Sequence, residues 1–182
     1  QRNLFRHIRT RNRFSATSVD QLPHHLVSMW LYGHMLLSPI PDIDRTHYFL
    51  MLGANPLASN GSIWTVPDVR KRIKDLTARG GKLVVIDPRK TETAELASEH
   101  HFIRPGTDAA FLLGLIHVLF RDNLVELGKL AGVVDGIAEV REAVSALNPE
   151  WAAAATGIEA HDITRIAHDL ATAEAAICYG RM

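Results

Sequence analysis

The chain predicts an α/β fold, and three observations carry that prediction. Tyr48-Phe49-Leu50-Met51-Leu52 and Lys82-Leu83-Val84-Val85-Ile86 are nearly continuous apolar runs of strand length, the pattern of strands buried on both faces. Between them Val69, Ile73 and Leu76 recur on one helical face, opened by Pro67-Asp68 and stopped by Gly80-Gly81. Strand, helix and strand of this length make a crossover unit, which joins parallel neighbours. Composition agrees, because 182 residues that are 47% hydrophobic and 22% charged suffice for one compact domain with a real core.

The remaining elements follow in order. Residues 1–20 read as an extended arm, solvated or interfacial, with Arg2, Arg6, Arg9, Arg11 and Arg13. The α/β core spans 21–122. In it, Gln21 to Leu37 has an apolar stripe at helical spacing that Pro39 and Pro41 end. Gly53 to Ser62 is a polar loop, and Thr91 to Ser98 is a short Ala- and Glu-rich helix. Phe102-Ile103 is a short strand, and Thr107 or Asp108 caps an apolar helix from Ala109 to Phe120. A helical part spans 123–174, with patterns at about 123–132, 137–147, 149–155 and 159–173, and 175–182 forms the final strand, centred on Ala175 to Tyr179. The expected architecture is a Rossmann-like parallel sheet flanked by helices, built as a single domain.

Charge and composition exclude several functions. Twenty basic residues balance twenty acidic ones, so no net field draws the chain to nucleic acid or to an anionic membrane. The apolar run Ala109 to Phe120 is too short to span a bilayer. One cysteine, Cys178, excludes an internal disulfide framework and cannot alone anchor an iron–sulfur cluster; in a strand it reads as a small buried hydrophobe. It fits a reducing cytoplasm, with the periplasm left open for a full-length protein. The start at Gln1, without an apolar stretch after the arginines, reads as a cut inside a longer chain rather than a signal peptide.

Ligands of open parallel sheets lie beyond the carboxyl ends of the strands, where three polar loops are expected: Gly53-Ala54-Asn55-Pro56, Asp87-Pro88-Arg89 and Pro105-Gly106-Thr107-Asp108. Gly53 lets backbone amides approach a phosphate, and Asn55 and Ser59 add short side-chain donors; for this loop alone an ordinary Gly/Asn turn is the favoured reading. Asp87 at a strand tip suits the two hydroxyls of a ribose and Arg89 a phosphate, against a carboxylate that caps the next helix and pairs with Arg89. Asp108 at a helix start is ordinarily a cap; its sharper reading is acceptance of the ring N–H and exocyclic amine of guanine. The ten histidines include His24-His25 and His100-His101 but no His-x-x-x-His, so they read as surface or hydrogen-bonded residues. No Gly-x-Ser-x-Gly elbow is present, which removes the common hydrolase reading.

Gly53-Ala54-Asn55-Pro56 with Ser59-Asn60-Gly61, Val85-Ile86-Asp87-Pro88-Arg89 with Thr91-Glu92-Thr93-Ala94, and Ile103-Arg104-Pro105-Gly106-Thr107-Asp108-Ala109 together resemble the molybdopterin oxidoreductase family, the group of formate dehydrogenases, nitrate reductases and dimethyl sulfoxide reductases. The similarity runs from about Ser18 to the C-terminus and includes Ala155-Thr156-Gly157-Ile158. The resemblance implies molybdopterin guanine dinucleotide, with Mo or W, as cofactor. It places Gly53 and Asn55 by the pyrophosphate or pterin, Asp87 and Arg89 at the ribose and phosphate, and Gly106 and Asp108 at the guanine. It implies no catalytic residue and no metal ligand here: the [4Fe–4S] cysteines and the metal-ligating residue of the family are absent, and Cys178 is not given that role. The expected partners are the remaining domains of the same polypeptide and an electron-transfer subunit, with neither nucleic acid nor membrane insertion. Two alternatives stand beside this reading: a non-catalytic structural homologue in a respiratory complex, and an NAD-dependent dehydrogenase domain, the latter without a Gly-x-Gly-x-x-Gly fingerprint.

Overall fold

A computed structural model describes residues 7, 8, 12, 14–18, 21–60 and 64–181. The five N-terminal arginines and Gly61 of the first loop motif lie outside the described residues. The chain falls into two compact units, one up to Pro39 and one from Ile40 to Arg181.

In the first unit, helix α1 (Leu22–Tyr32) is shorter than the apolar stripe predicts. Gly33 ends it rather than Pro39: its φ of 73° is left-handed and its N–H caps Met29 O.

The second unit is built on a four-stranded parallel sheet in the order β3-β2-β1-β4, with β1 (Tyr48–Leu52), β2 (Lys82–Ile86), β3 (Glu99–His101) and β4 (Ala176–Gly180). Both predicted apolar runs are strands, and every residue of β1 is buried. The short third strand lies one step earlier than Phe102-Ile103, on the polar residues Glu99-His100-His101, because edge pairing to β2 rather than apolar content defines it.

Helices α2 (Pro56–Ser59), α3 (Val69–Ala78) and α4 (Glu92–Leu96) follow the first two strands. Against the Phe49, Met51, Leu83 and Val85 side of the sheet pack Val69, Ile73 and Leu76 of α3, Ala94 of α4 and Trp64. The four-residue α2 interrupts what the sequence presents as a continuous loop. Asp68 accepts the Lys71 N–H and starts α3, as expected for a cap, and Gly80 at φ 86° follows its end.

The opposite face, Tyr48, Leu50, Leu52, Val84 and Ile86, is covered by α5 (Asp108–Arg121), α7 (Pro149–Thr156) and α8 (Ala160–Thr172). Gly114 lets α5 cross α7 closely: a Cβ there would stand 2.7 Å from that of Ala152. Helix α6 (Ile137–Ala143) lies between α5 and α7 in the chain. The helical pattern at 123–132 yields only a 3-10 turn at Gly128–Leu130, because Asn123 at φ 55° and the glycines break it.

Strand β4 is an edge strand. Ile177 and Tyr179 turn toward the Phe49 side, with the Tyr179 ring 6.2 Å from Phe49 and 5.8 Å from Trp64. Ala176, Cys178 and Gly180 are exposed on the other side. The reading of Cys178 as a buried hydrophobe is therefore corrected: alternation on the edge strand leaves the residue exposed, although the atoms around it still desolvate the thiol and push its pKa up to about 11. Among the described residues no helix is long and apolar enough to cross a membrane.

Candidate functional site

Parallel neighbours deliver their following loops to one rim, and the backbone ties these loops together. Gly53 N–H donates to Ile86 O at 2.9 Å, and Asp87 N–H donates to His101 O at 3.2 Å, so the ends of β1, β2 and β3 are hydrogen-bonded in sequence. Helix α5 runs back across the sheet, which leaves Asp108, its first residue, on the same rim. On the far side of β1, Arg181 N–H donates to Leu52 O at 3.3 Å. The connections from β1 and into β4 use opposite faces of the sheet, making the β1/β4 boundary a topological switch point, the usual place for a ligand in open α/β sheets.

Gly53 adopts φ 57°, the left-handed conformation, with open space where a side chain would stand. Its own N–H is used by Ile86, so it offers no donor; the N–H groups of Ala54 and Asn55, without a protein acceptor among the described residues, are the ones left. Gly106, at φ 79°, likewise faces open space.

Asn55 is more constrained than its sequence context suggests. Its Nδ2 donates to Glu92 Oε2 at 2.7 Å, and its Oδ1 accepts the hydroxyl of the fully buried Thr93 at 2.7 Å. The same Thr93 Oγ1 accepts Leu57 N–H at 3.3 Å. Asn55 is thus a clasp between the first loop and α4, with one amide N–H still available. The Glu92 carboxyl is held below the usual range by its own backbone N–H and by Asn55, with a smaller contribution from the Arg89 charge.

Asp87 is buried, with 7% of its surface exposed. Its Oδ1 accepts the backbone N–H of Arg89 at 2.8 Å, and it does not cap α4; Thr91 does, accepting Ala94 N–H at 3.1 Å. Capping and ion pairing, the plainer explanations of Asp87, are both unmet, and its Oδ2 has no partner among the described residues. His100 Nε2 lies 3.1 Å from Asp87 O and its ring packs edge-on against Phe102, which steadies the strand tip. Arg89 is exposed.

Asp108 does not cap α5 either. Thr107 stands at the N-cap position, and its hydroxyl donates to Arg104 O at 2.6 Å instead. The half-buried Asp108 carboxylate has no hydrogen-bond or ion-pair partner among the described residues, leaving both oxygens free. Arg104 anchors this loop: its N–H donates to Thr156 O at 2.8 Å and its guanidinium to Ala154 O and Ala155 O at 3.1 and 2.5 Å, closing the C-terminal end of α7.

The structure therefore gathers the loops of Gly53, Asn55, Asp87, Arg89, Gly106 and Asp108 on one rim, and adds three positioning residues the sequence reading did not single out: Glu92, Thr93 and Arg104. Of the three, only Thr93 is a buried polar residue, while Glu92 and Arg104 are exposed and act through long-range hydrogen bonds, which periodicity does not reveal. Among the described residues no group of three or more His, Cys, Asp or Glu side chains is arranged to hold a metal ion.

Comparison with known proteins settles the relationship. The molybdopterin oxidoreductase family model matches residues 2–180. The chain belongs to the molybdopterin oxidoreductase family. It is 35% identical over 123 residues to the Bacillus subtilis protein named "Probable oxidoreductase YoaE" and 33% identical over 142 residues to formate dehydrogenase H of Escherichia coli, covering 68% and 78% of this chain. These matches take in only 17% and 19% of the two relatives, so the chain spans about a fifth of their length. Among solved structures, acetylene hydratase from Pelobacter acetylenicus superposes with a TM-score of 0.76 at 28% identity, over 91% of this chain and 22% of that one. A hydratase among the similar structures means that family membership alone does not name the reaction.

Proposed function

We propose that this chain holds the guanine dinucleotide part of a molybdopterin cofactor within a molybdenum- or tungsten-dependent two-electron oxidoreductase of the formate dehydrogenase or nitrate reductase kind. The observation that carries the reading is the pair of rim carboxylates: among the described residues Asp87 keeps one oxygen without a protein partner and Asp108 keeps both. Neither carboxylate is spent on capping: Thr91 caps α4, and Asp108 lies inside the first turn of α5, not at its N-cap.

The residues fit the group. The left-handed Gly53 keeps the first turn free of a side chain, and the Ala54 and Asn55 N–H groups suit a diphosphate oxygen. Asp87 accepts ribose hydroxyls and Arg89 neutralises phosphate charge. Gly106 clears the approach to Asp108, which accepts two hydrogen bonds from guanine, an arrangement adenine cannot supply. The bound cofactor supplies two-electron redox chemistry at its metal, and this chain binds and orients it. The remaining domains of a longer polypeptide and an electron-transfer subunit are the proposed partners.

The nucleotide released from the purified polypeptide that contains this chain tests the proposal. Stoichiometric GMP after mild acid treatment is expected, with loss of GMP in Asp108→Ala; another nucleotide, or GMP retained at the wild-type level in Asp108→Ala, overturns it.

A further inference from the structure

A second site lies at the other end of α5. Asp108 and Arg121 are the first and last residues of this 14-residue helix, which at 1.5 Å per residue puts this site about 20 Å from the rim. There a cleft of about 340 Å³ opens between the end of α5 and α6. Its apolar floor is Phe120 and Val144, both buried. The polar groups on its walls are Arg121, Arg141, His117, Asn123 and Ser145, and no carboxylate lines it.

These groups keep donors that the protein does not use. The Arg141 guanidinium lies 5.2 Å over the Phe120 ring and has no acidic partner among the described residues. Arg121 is held by Asp122 through Nε and Nη2, both at 2.8 Å, which leaves Nη1 free. Asp122 is itself fixed by His168 Nε2 at 2.7 Å, so the arginine is presented in one orientation. The Asn123 side chain and the Ser145 hydroxyl make no hydrogen bond to described residues, and His117 uses Nδ1 alone, on Val144 O at 2.9 Å. Asp122, Asn123 and Leu124 N–H groups take the carbonyls of Val118, Phe120 and Leu119, so these three carbonyls do not compete for the donors of the cleft.

We propose that this cleft binds a small organic anion through a carboxylate or phosphate group, with Arg141 and Arg121 as its charged contacts and Asn123 and Ser145 as neutral donors. The cleft volume suits a metabolite-sized ligand. This proposal is independent of the rim reading and survives its failure.

The test is an amide chemical-shift titration of the 182-residue chain at fixed ionic strength, with inorganic phosphate in one arm and succinate in the other. Saturable shifts at residues 117, 121, 123, 141 and 145 in at least one arm are expected, and the arm that saturates names the oxyanion. Arg141→Gln should weaken that binding roughly tenfold, the loss of one charge-assisted contact, with Arg141→Lys intermediate and the exposed Lys74→Gln without effect. Shifts confined to the rim loops, no saturable shift in either arm, or equal binding by Arg141→Gln each overturn the proposal. If the Arg141→Gln spectrum shows lost folding, the Asn123→Ala/Ser145→Ala double variant takes its place, with weakened binding expected and unchanged binding refuting.

Discussion

Thr93→Val probes the link between the fold and the candidate site. Valine preserves the shape of a side chain that is fully buried and removes only the hydroxyl. That hydroxyl makes two hydrogen bonds, donating to Asn55 Oδ1 at 2.7 Å and accepting Leu57 N–H at 3.3 Å. At a net ~0.5–1.5 kcal/mol for each, the loss is about 1–3 kcal/mol, toward the upper end if Asn55 Oδ1 finds no water. With a urea slope of about 2 kcal/mol/M the unfolding midpoint should fall by roughly 0.5–1.5 M at unchanged slope. Thr93→Ser keeps the hydroxyl and should lose less. Asn55, freed from one side of its clasp, should also bind GDP more weakly. A midpoint and a GDP affinity both equal to wild type would refute the argument that Thr93 positions the first loop.

Three further predictions follow from the packing and the charges. Gly114→Ala sets two backbone-borne Cβ atoms 2.7 Å apart, which no rotamer change relieves, so the melting temperature should fall by the equivalent of about 1–3 kcal/mol less the ~1 kcal/mol gain in helix propensity; Gly132→Ala, in open space, is the control, and equal effects would refute the close crossing of α5 and α7. Arg104→Met should speed amide exchange at residues 106–108 and weaken GDP binding, whereas unchanged exchange would show that the α7 carbonyls do not anchor this loop. Burial raises the Glu99 and Asp162 carboxyls, but Arg165, at 2.7 and 2.9 Å, overrides it and holds both below their ordinary values of 4.5 and 3.8. Depressed folded-state values contribute stability that is complete above the ordinary values and is lost as pH falls below them, so the urea midpoint should drop between pH 6 and pH 3; Arg165→Met should flatten or reverse that slope, and an unchanged slope would contradict the assignment.

Legibility tracked physical cause. The strands β1 and β2 were readable because burial on both faces demands continuous apolar residues, and α3 because Val69, Ile73 and Leu76 repeat at helical spacing. Strand β3 was misplaced because an edge strand is defined by backbone pairing, which Glu99-His100-His101 satisfies without apolar content. Helix α1 ended early because one left-handed glycine outweighed a continuing stripe. At the rim, the loop residues were legible from their type and from their place after strands. Their internal commitments were not: that Gly53 spends its N–H on the sheet, that Asn55 is clasped, and that Thr91 releases Asp87 from capping are tertiary facts. Cys178 was misread for the related reason that the sequence does not say which strand stands at the edge.

The most direct measurement is calorimetric titration of the chain with GDP and with ADP, repeated on Asp108→Ala. The account predicts preference for GDP, abolished by the substitution. Equal affinities, tighter ADP binding, or a GDP preference that survives in Asp108→Ala would contradict it.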